Sequence, residues 1–280
     1  MFVVSGSTHQ RLGVALAQET GAEFCGVINK RFPDGERYVR VLRNVAGHDV
    51  AVVQNPFPDE SIVELLLILE ALSESGAKSI TTIIPYMGYA RQERTFQRGE
   101  AISARAIARP VGALSDRVFT VSVHTDEVLS FFGCPTQDID GLQEAVRYLK
   151  GFKPGLVVAP DEGAREWCAR AAKELKAPLH VMSKIRVDDR TVETDSGKVK
   201  VKRLTVVILD DIISTGGTIA SAARLLKNAG AGQVLAACTH GLFIEDAANR
   251  LRVCDDILSS DTLEGVYTRY SIAPAIAAAL

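Results

Sequence analysis

Val206-Val207-Ile208-Leu209-Asp210-Asp211-Ile212-Ile213-Ser214-Thr215-Gly216-Gly217-Thr218 is the most informative stretch of this 280-residue chain. Its first four residues form a continuous apolar, largely β-branched run, the signature of a strand buried on both faces of a parallel sheet. The run stops at two aspartates and passes through Ser214, Thr215, Gly216, Gly217 and Thr218 into a helical pattern over 218–229. Glycine allows a tight turn. Backbone N–H groups and hydroxyls in such a turn can surround a phosphate, and the following helix adds its positive N-terminal end. Asp210 and Asp211 then face a polyol or a magnesium ion. Together these groups suit a sugar phosphate held at both ends, although strand, acid, glycine turn and helix also occur in sequence as plain structural punctuation.

Outward from this segment, further short apolar runs end at polar or glycine-rich residues: 2–5, 50–54, 79–84, 118–123, 155–159, 205–209 and 233–238. Helical patterns rich in Leu, Ala, Glu and Lys fill 61–75, 162–176 and 218–229. Strands alternating with helices predict an α/β fold with mainly parallel central sheets flanked by helices. EALSESGAKSITTIIPY from Glu70 and RLLKNAGAGQVLAACTH from Arg224 align without gaps at an offset of 154 residues, each reading as helix, Gly-Ala, strand. An offset of about half the chain points to two tandem related domains, 1–145 and 146–280.

Hydrophobic content of 47% and charged content of 24% exclude a disordered or low-complexity chain. With a net charge of −2 there is no global attraction to nucleic acid or to an anionic membrane, so any anion must be gripped locally. The five cysteines lack metal-ligand spacing and read as buried thiols in a reducing compartment. The apolar run from Ile62 to Leu69 is interrupted by Glu64, and the N-terminus lacks the pattern of a signal peptide, so a cytoplasmic location is expected. Residues 184–203 carry seven basic and four acidic positions, and alternation around Asp195-Ser196-Gly197 predicts a polar hairpin reached through a charged loop.

Two more stretches carry functional groups on expected loops: Arg31-Phe32-Pro33-Asp34-Gly35-Glu36, and Ile84-Pro85-Tyr86-Met87-Gly88-Tyr89-Ala90-Arg91-Gln92-Glu93-Arg94. An aromatic, carboxylates and arginines at strand ends are the groups nucleotide recognition uses. Phe-Pro-Asp-Gly alone is also a common turn.

The segment from Val206 to Thr218 resembles the phosphoribosyl-pyrophosphate signature of the type I phosphoribosyltransferase fold. The two N-terminal stretches resemble the nucleotide loop and the most distinctive motif of one branch of that fold, the phosphoribosyl pyrophosphate synthetase or ribose-phosphate pyrophosphokinase family. A nucleobase phosphoribosyltransferase would explain the first segment and leave the other two without a role. The resemblance implies two phosphoribosyltransferase-like domains, the first binding ATP and the second ribose 5-phosphate. It also implies Mg2+-dependent transfer of a pyrophosphoryl group from ATP to the anomeric hydroxyl, with release of AMP. Phe32, Asp34, Gly35, Glu36, Arg91, Gln92 and His124 would contact ATP, and His124 with Asp161 would contact magnesium. Asp210, Asp211, Ser214, Thr215, Gly216, Gly217, Thr218 and Arg186 would bind ribose 5-phosphate. Lys184 and Arg186, on the charged loop, would stabilise the transition state. Ser214 departs from the aspartate many family members carry there. Self-association into a homo-oligomer is implied by the same resemblance, as is the choice of small molecules over nucleic acid or membrane. A catalytically silent relative is the remaining alternative, against which the joint presence of His124, Asp161, Lys184 and Arg186 argues.

Overall fold

The computed structural model describes residues 1–186, 192–195 and 200–280, with side chains outside 183–199. It comprises two compact units, Met1–Asp140 with Ile272–Leu280, and Gly141–Ser271.

In the first unit the strands are β1 (Phe2–Ser5), β2 (Glu23–Cys25), β3 (Val27–Arg31), β4 (Arg37–Val41), β5 (Asp49–Val53), β6 (Ser79–Ile84), β7 (Arg117–Val121) and β8 (Thr136–Ile139). Helices α1 (Gln10–Thr20), α2 (Asp59–Glu74) and α3 (Ser103–Ala113) connect them. Six strands form a parallel sheet in the order β2-β1-β5-β6-β7-β8, while β3 and β4 form a separate antiparallel hairpin. Alternate residues feed opposite cores. Val4, Val50 and Val52 pack with Leu65 and Leu69, and Val3, Ala51 and Val53 with Leu12 and Leu16. This two-sided burial explains why the strands read as unbroken apolar runs.

The second unit repeats the plan with β9 (Leu156–Ala159), β10 (Leu179–Val181), β11 (Ser183–Arg186), β12 (Val192–Asp195), β13 (Thr205–Ile213), β14 (Gln233–Gly241), β15 (Asp256–Ser260) and β16 (Thr268–Tyr270). Its helices are α4 (Leu142–Leu149), α5 (Arg165–Leu175), α6 (Gly217–Asn228) and α7 (Ala247–Arg250). The parallel order β10-β9-β13-β14-β15-β16 is that of the first unit, and the antiparallel pair β11-β12 interrupts the chain at the same topological step as β3-β4. The sequence repeat maps onto this symmetry. Gly76 and Gly230, at the ends of α2 and α6, both hold positive φ, 73° and 90°, which glycine adopts without strain.

The structure adds detail to the sequence reading at three places. Asp195 lies within β12, opposite Ser183, while Ser196 and Gly197 of the expected Asp195-Ser196-Gly197 turn lie outside the described residues. The short, partly polar strands β2, β8, β10, β15 and β16 lack the long apolar runs that made the central strands legible. The compact units divide between Asp140 and Gly141, whereas a boundary at 145 was expected, and the chain end packs with the first unit. There α8 (Ala273–Ala277) buries Ile272, Ala273 and Ile276 in the core that holds Leu12 and Leu16 of α1. Among the described residues, no helix is long and apolar enough to cross a membrane.

Ile276 is fully buried in this docking. Ile276→Ala should therefore destabilise the protein by about 2–5 kcal/mol, the usual cost of truncating a large core aliphatic. Chemical denaturation checks this; an unchanged midpoint would mean the tail does not belong to the first core.

Candidate active site

In an open α/β sheet, ligand groups collect beyond the carboxyl ends of the strands where the strand order reverses, here between β9 and β13 in the second unit and between β1 and β5 in the first. In the second unit Asp161 follows β9, and Asp210 and Asp211 lie inside β13, which runs to Ile213, four residues beyond the apolar run visible in sequence. Asp161 is not the cap of α5, whose N-cap is Ala164; its Oδ1 accepts the Gly163 N–H at 3.1 Å. Asp210 Oδ1 accepts the Asp211 N–H at 3.0 Å, and Asp211 Oδ1 accepts the Ile212 N–H at 2.8 Å.

Burial, then the charge of Asp211 and further that of Asp161, push the Asp210 carboxyl up to about 8. Removing a carboxylate from water penalises its charged form, and neighbouring anions add to the penalty. Asp210 and Asp211, with Asp161 near enough to act on Asp210 electrostatically, are hard oxygen donors of the kind magnesium takes. Among the described residues no three His, Cys, Asp or Glu side chains converge closely enough to hold a metal by themselves. Magnesium commonly takes one or two carboxylates and completes its shell with water and substrate phosphate, which this set allows.

The turn after β13 is built for an anion. Gly216 has φ of 72°, and a Cβ there would meet Leu251 Cγ at 2.9 Å, so both backbone and space require glycine. No side-chain hydrogen bond caps α6 and no acid occupies its first turn, so its N–H groups present a positive end. The turn is supported by residues the sequence reading did not select. Arg250 donates to the Thr215 carbonyl at 3.1 Å, and the N–H groups of Leu242 and Ile244 donate to the carbonyls of Ile213 and Ser214 at 3.0 and 3.2 Å. These contacts connect segments separated by some thirty residues, for which no local sequence signal exists.

In the first unit, Phe32, Asp34, Gly35 and Glu36 form the tip of the β3-β4 hairpin. Phe32 N–H donates to the Glu36 carbonyl at 2.8 Å, Gly35 N–H to the Phe32 carbonyl at 2.9 Å, and Glu36 N–H to Asp34 Oδ1 at 3.0 Å. Gly35 has φ of 95°. The Phe32 ring is 49% exposed and touches Tyr38 only edge-on, at 6.0 Å between centroids, so a broad aromatic face is presented to solvent on a rigid turn. Arg91 is exposed beyond β6. Gln92 donates to the Arg94 carbonyl at 3.1 Å and to Glu100 at 3.4 Å. Exposed His124 follows β7, preceded by Val123, whose N–H donates to Asp138 Oδ1 at 3.0 Å. Burial raises the Asp138 carboxyl above the usual carboxylate range, against the lowering by Thr120 and Val123. Lys184 and Arg186 have backbones in β11, while their side chains lie outside the described ones.

A family model described as the N-terminal domain of ribose phosphate pyrophosphokinase matches residues 1–113, and a phosphoribosyl transferase domain model matches residues 137–266. The chain is 39% identical to the ribose-phosphate pyrophosphokinase of Methanopyrus kandleri over 286 aligned positions, covering 100% of this chain and 98% of that one. It is likewise 39% identical to that of Methanosarcina mazei, covering 99% and 94%. The chain belongs to the ribose-phosphate pyrophosphokinase family. The crystal structure of phosphoribosylpyrophosphate synthetase from Mycobacterium smegmatis superposes with a TM-score of 0.85 at 31% identity, covering 99% of this chain and 96% of that one. Both units thus have the phosphoribosyltransferase-type architecture that the family resemblance implied.

The raised Asp210 pKa has a consequence for folding. Folded Asp210 keeps its proton up to about 8, whereas the unfolded residue releases it near 3.8, the ordinary value for aspartate, so the folded state binds more protons between those values. Stability contributed by the protonated carboxyl is complete below the lower value and is lost as pH rises through the upper one. Asp210→Asn should leave Tm nearly unchanged at pH 4 and raise it at pH 8 to 9 by several degrees, about 2–4 °C per kcal/mol relieved. Thermal melts in magnesium-free buffer across that range check the sign.

Proposed function

We propose that this chain transfers the β,γ-pyrophosphoryl group of ATP to the anomeric hydroxyl of ribose 5-phosphate, giving 5-phosphoribosyl 1-pyrophosphate and AMP. The observation that carries the reading is the pairing, in one chain, of two tandem units with different equipment. One has an exposed aromatic and acids on a rigid hairpin; the other has paired aspartates ahead of an uncapped glycine turn. The relatives named ribose-phosphate pyrophosphokinase align along the whole chain, which supports the same activity.

Phe32 stacks on adenine, Asp34 and Glu36 contact the base or ribose, and Arg91 and Gln92 neutralise and orient the phosphates, with His124 assisting. Gln92 must exchange its bonds to Arg94 and Glu100 for those to nucleotide. The turn from Ser214 to Thr218 takes the 5-phosphate through backbone N–H groups and hydroxyls, and Asp210 and Asp211 orient the ribose hydroxyls. Ser214, in place of the acid common in the family, lowers the negative charge beside the phosphate. Asp161 and His124 would hold Mg2+, which would supply neutralisation of the phosphate charge, and Asp210 and Asp211, hard oxygen donors, would offer a second ion a place. Pyrophosphoryl transfer demands in-line positioning and charge stabilisation more than covalent chemistry, and Lys184 and Arg186 provide cations for the charge that develops at the bridging oxygen. Self-association into a homo-oligomer completes the proposal.

Incubation with Mg2+, ATP and ribose 5-phosphate should release AMP; ADP would indicate an ordinary kinase, and no turnover a silent relative. Phe32→Ala should raise the ATP requirement, because base stacking on an aromatic is worth about 1–3 kcal/mol. Asp210→Asn combined with Asp211→Asn should weaken ribose 5-phosphate binding while leaving ATP binding nearly intact, and equal loss of both in a folded protein would overturn the division of labour. Lys184→Ala and Arg186→Ala should each lower kcat by on the order of 10²–10³ with smaller changes in KM. A normal kcat with unchanged Tm would assign them to a solvated hairpin.

A further inference from the structure

The two switch points are equipped differently. In the second unit the crevice between β9 and β13 is edged by repelling acids and an uncapped glycine turn; the corresponding place in the first unit is occupied by the protein's own polar side chains. Thr8 donates to Gln54 Oε1 from its N–H at 3.3 Å and from its hydroxyl at 2.6 Å, and Asn55 Oδ1 accepts the Tyr86 N–H at 2.7 Å. A Cβ on Gly6 would lie 2.3 Å from Gln54 Oε1, so the space is filled.

Ser7, next in the chain to Thr8, engages a charged residue, Glu64. Glu64 lies on α2 and is fully buried, an expensive place for a carboxylate without partners. The Ser7 N–H donates to its Oε1 at 2.7 Å and the Ser7 hydroxyl to its Oε2 at 2.6 Å. Arg37 Nη1 reaches Oε2 at 3.4 Å and also donates to Asn29 Oδ1 at 3.1 Å. Arg37 is the first residue of β4, immediately after Glu36, and Asn29 belongs to β3. One guanidinium therefore crosses both strands of the hairpin near its tip and ties them to a carboxylate that is itself fixed to the β1-α1 connection.

We propose that Glu64, acting through Arg37, is a positioning residue that sets the orientation of the Phe32–Glu36 tip for nucleotide binding. The hairpin is a separate two-stranded sheet, and an isolated two-stranded hairpin is marginal in water. Val27, Val39 and Val41 pack it against the core of the first unit, and the Glu64–Arg37 pair adds an anchor that is charged and therefore directional. The inference rests on the proposed reading of the tip as the ATP site.

The test is steady-state kinetics on Glu64→Gln and Arg37→Gln, with Phe32→Ala as the control for the tip itself. Glutamine keeps an acceptor for Ser7 but removes the counter-charge of Arg37. Each single variant should raise the KM for ATP roughly 10-fold while kcat and the KM for ribose 5-phosphate stay within about 3-fold, the split expected for lost ground-state positioning. The double variant should be no worse than either single one, because both break the same link. Arg37→Lys should recover part of the loss, since it keeps the charge and lacks only the planar fork that spans Asn29 and Glu64. If Glu64→Gln fails to fold, the Arg37 pair carries the test. A normal ATP KM in folded Arg37→Gln, with a raised KM in Phe32→Ala, overturns the positioning role alone; a normal KM in Phe32→Ala overturns the nucleotide reading and this inference with it.

Discussion

A parallel sheet buried on both faces has no room for chemistry along its length. Each strand interior must be apolar on alternate residues in both directions, as Val206 and Ile208 feed one core while Val207 and Leu209 feed the other. Polar and charged groups are excluded to the strand ends, where the backbone turns into helices and where helix N-termini point the same way. The candidate site residues lie where this exclusion leaves them: the aspartates at the far end of β13, Asp161 after β9, the glycine turn before α6, and His124 after β7.

The cost of that placement is visible in Asp210. A carboxyl set partly inside the sheet, next to Asp211 and near Asp161, keeps its proton far above the ordinary range. Such an arrangement is unfavourable for a fold considered alone. It becomes sensible when a cation or the hydroxyls of a polyol complete it, because the binding free energy then offsets electrostatic repulsion already built into the protein.

The duplicated architecture shows how one scaffold can be turned to two uses. Both units share strand order and a hairpin inserted after the second strand of the sheet. In the first unit the switch point is filled by side chains: Thr8 bonds to Gln54, Asn55 to the Tyr86 N–H, and Ser7 to Glu64, which also meets Arg37 at the hairpin. In the second the switch point carries Asp161, Asp210 and Asp211 and the N-terminal donors of α6. The same sheet thus carries a crevice filled by side chains in one unit and, in the other, one edged by acids and a glycine turn.

The sequence by itself determined the α/β class, the central strands, the repeat and the candidate residues of both motifs, because these depend on local pattern: apolar runs ending at polar residues, and glycine where a turn needs positive φ. Glu64 was visible as an interruption in the Ile62–Leu69 run, yet nothing local could tell whether it faced water or a half-buried guanidinium. Tertiary structure decided that it meets Ser7 and Arg37, that Arg250 and the residue pair Leu242 and Ile244 hold the phosphate-type turn, and that the chain end returns to the first unit against Leu12 and Leu16. It also decided the extent of β13 and the pairing of Asp195 with Ser183. Contacts of this kind join residues far apart in the chain, and their free energy comes from burial and charge pairing that exist only once the sheet has assembled.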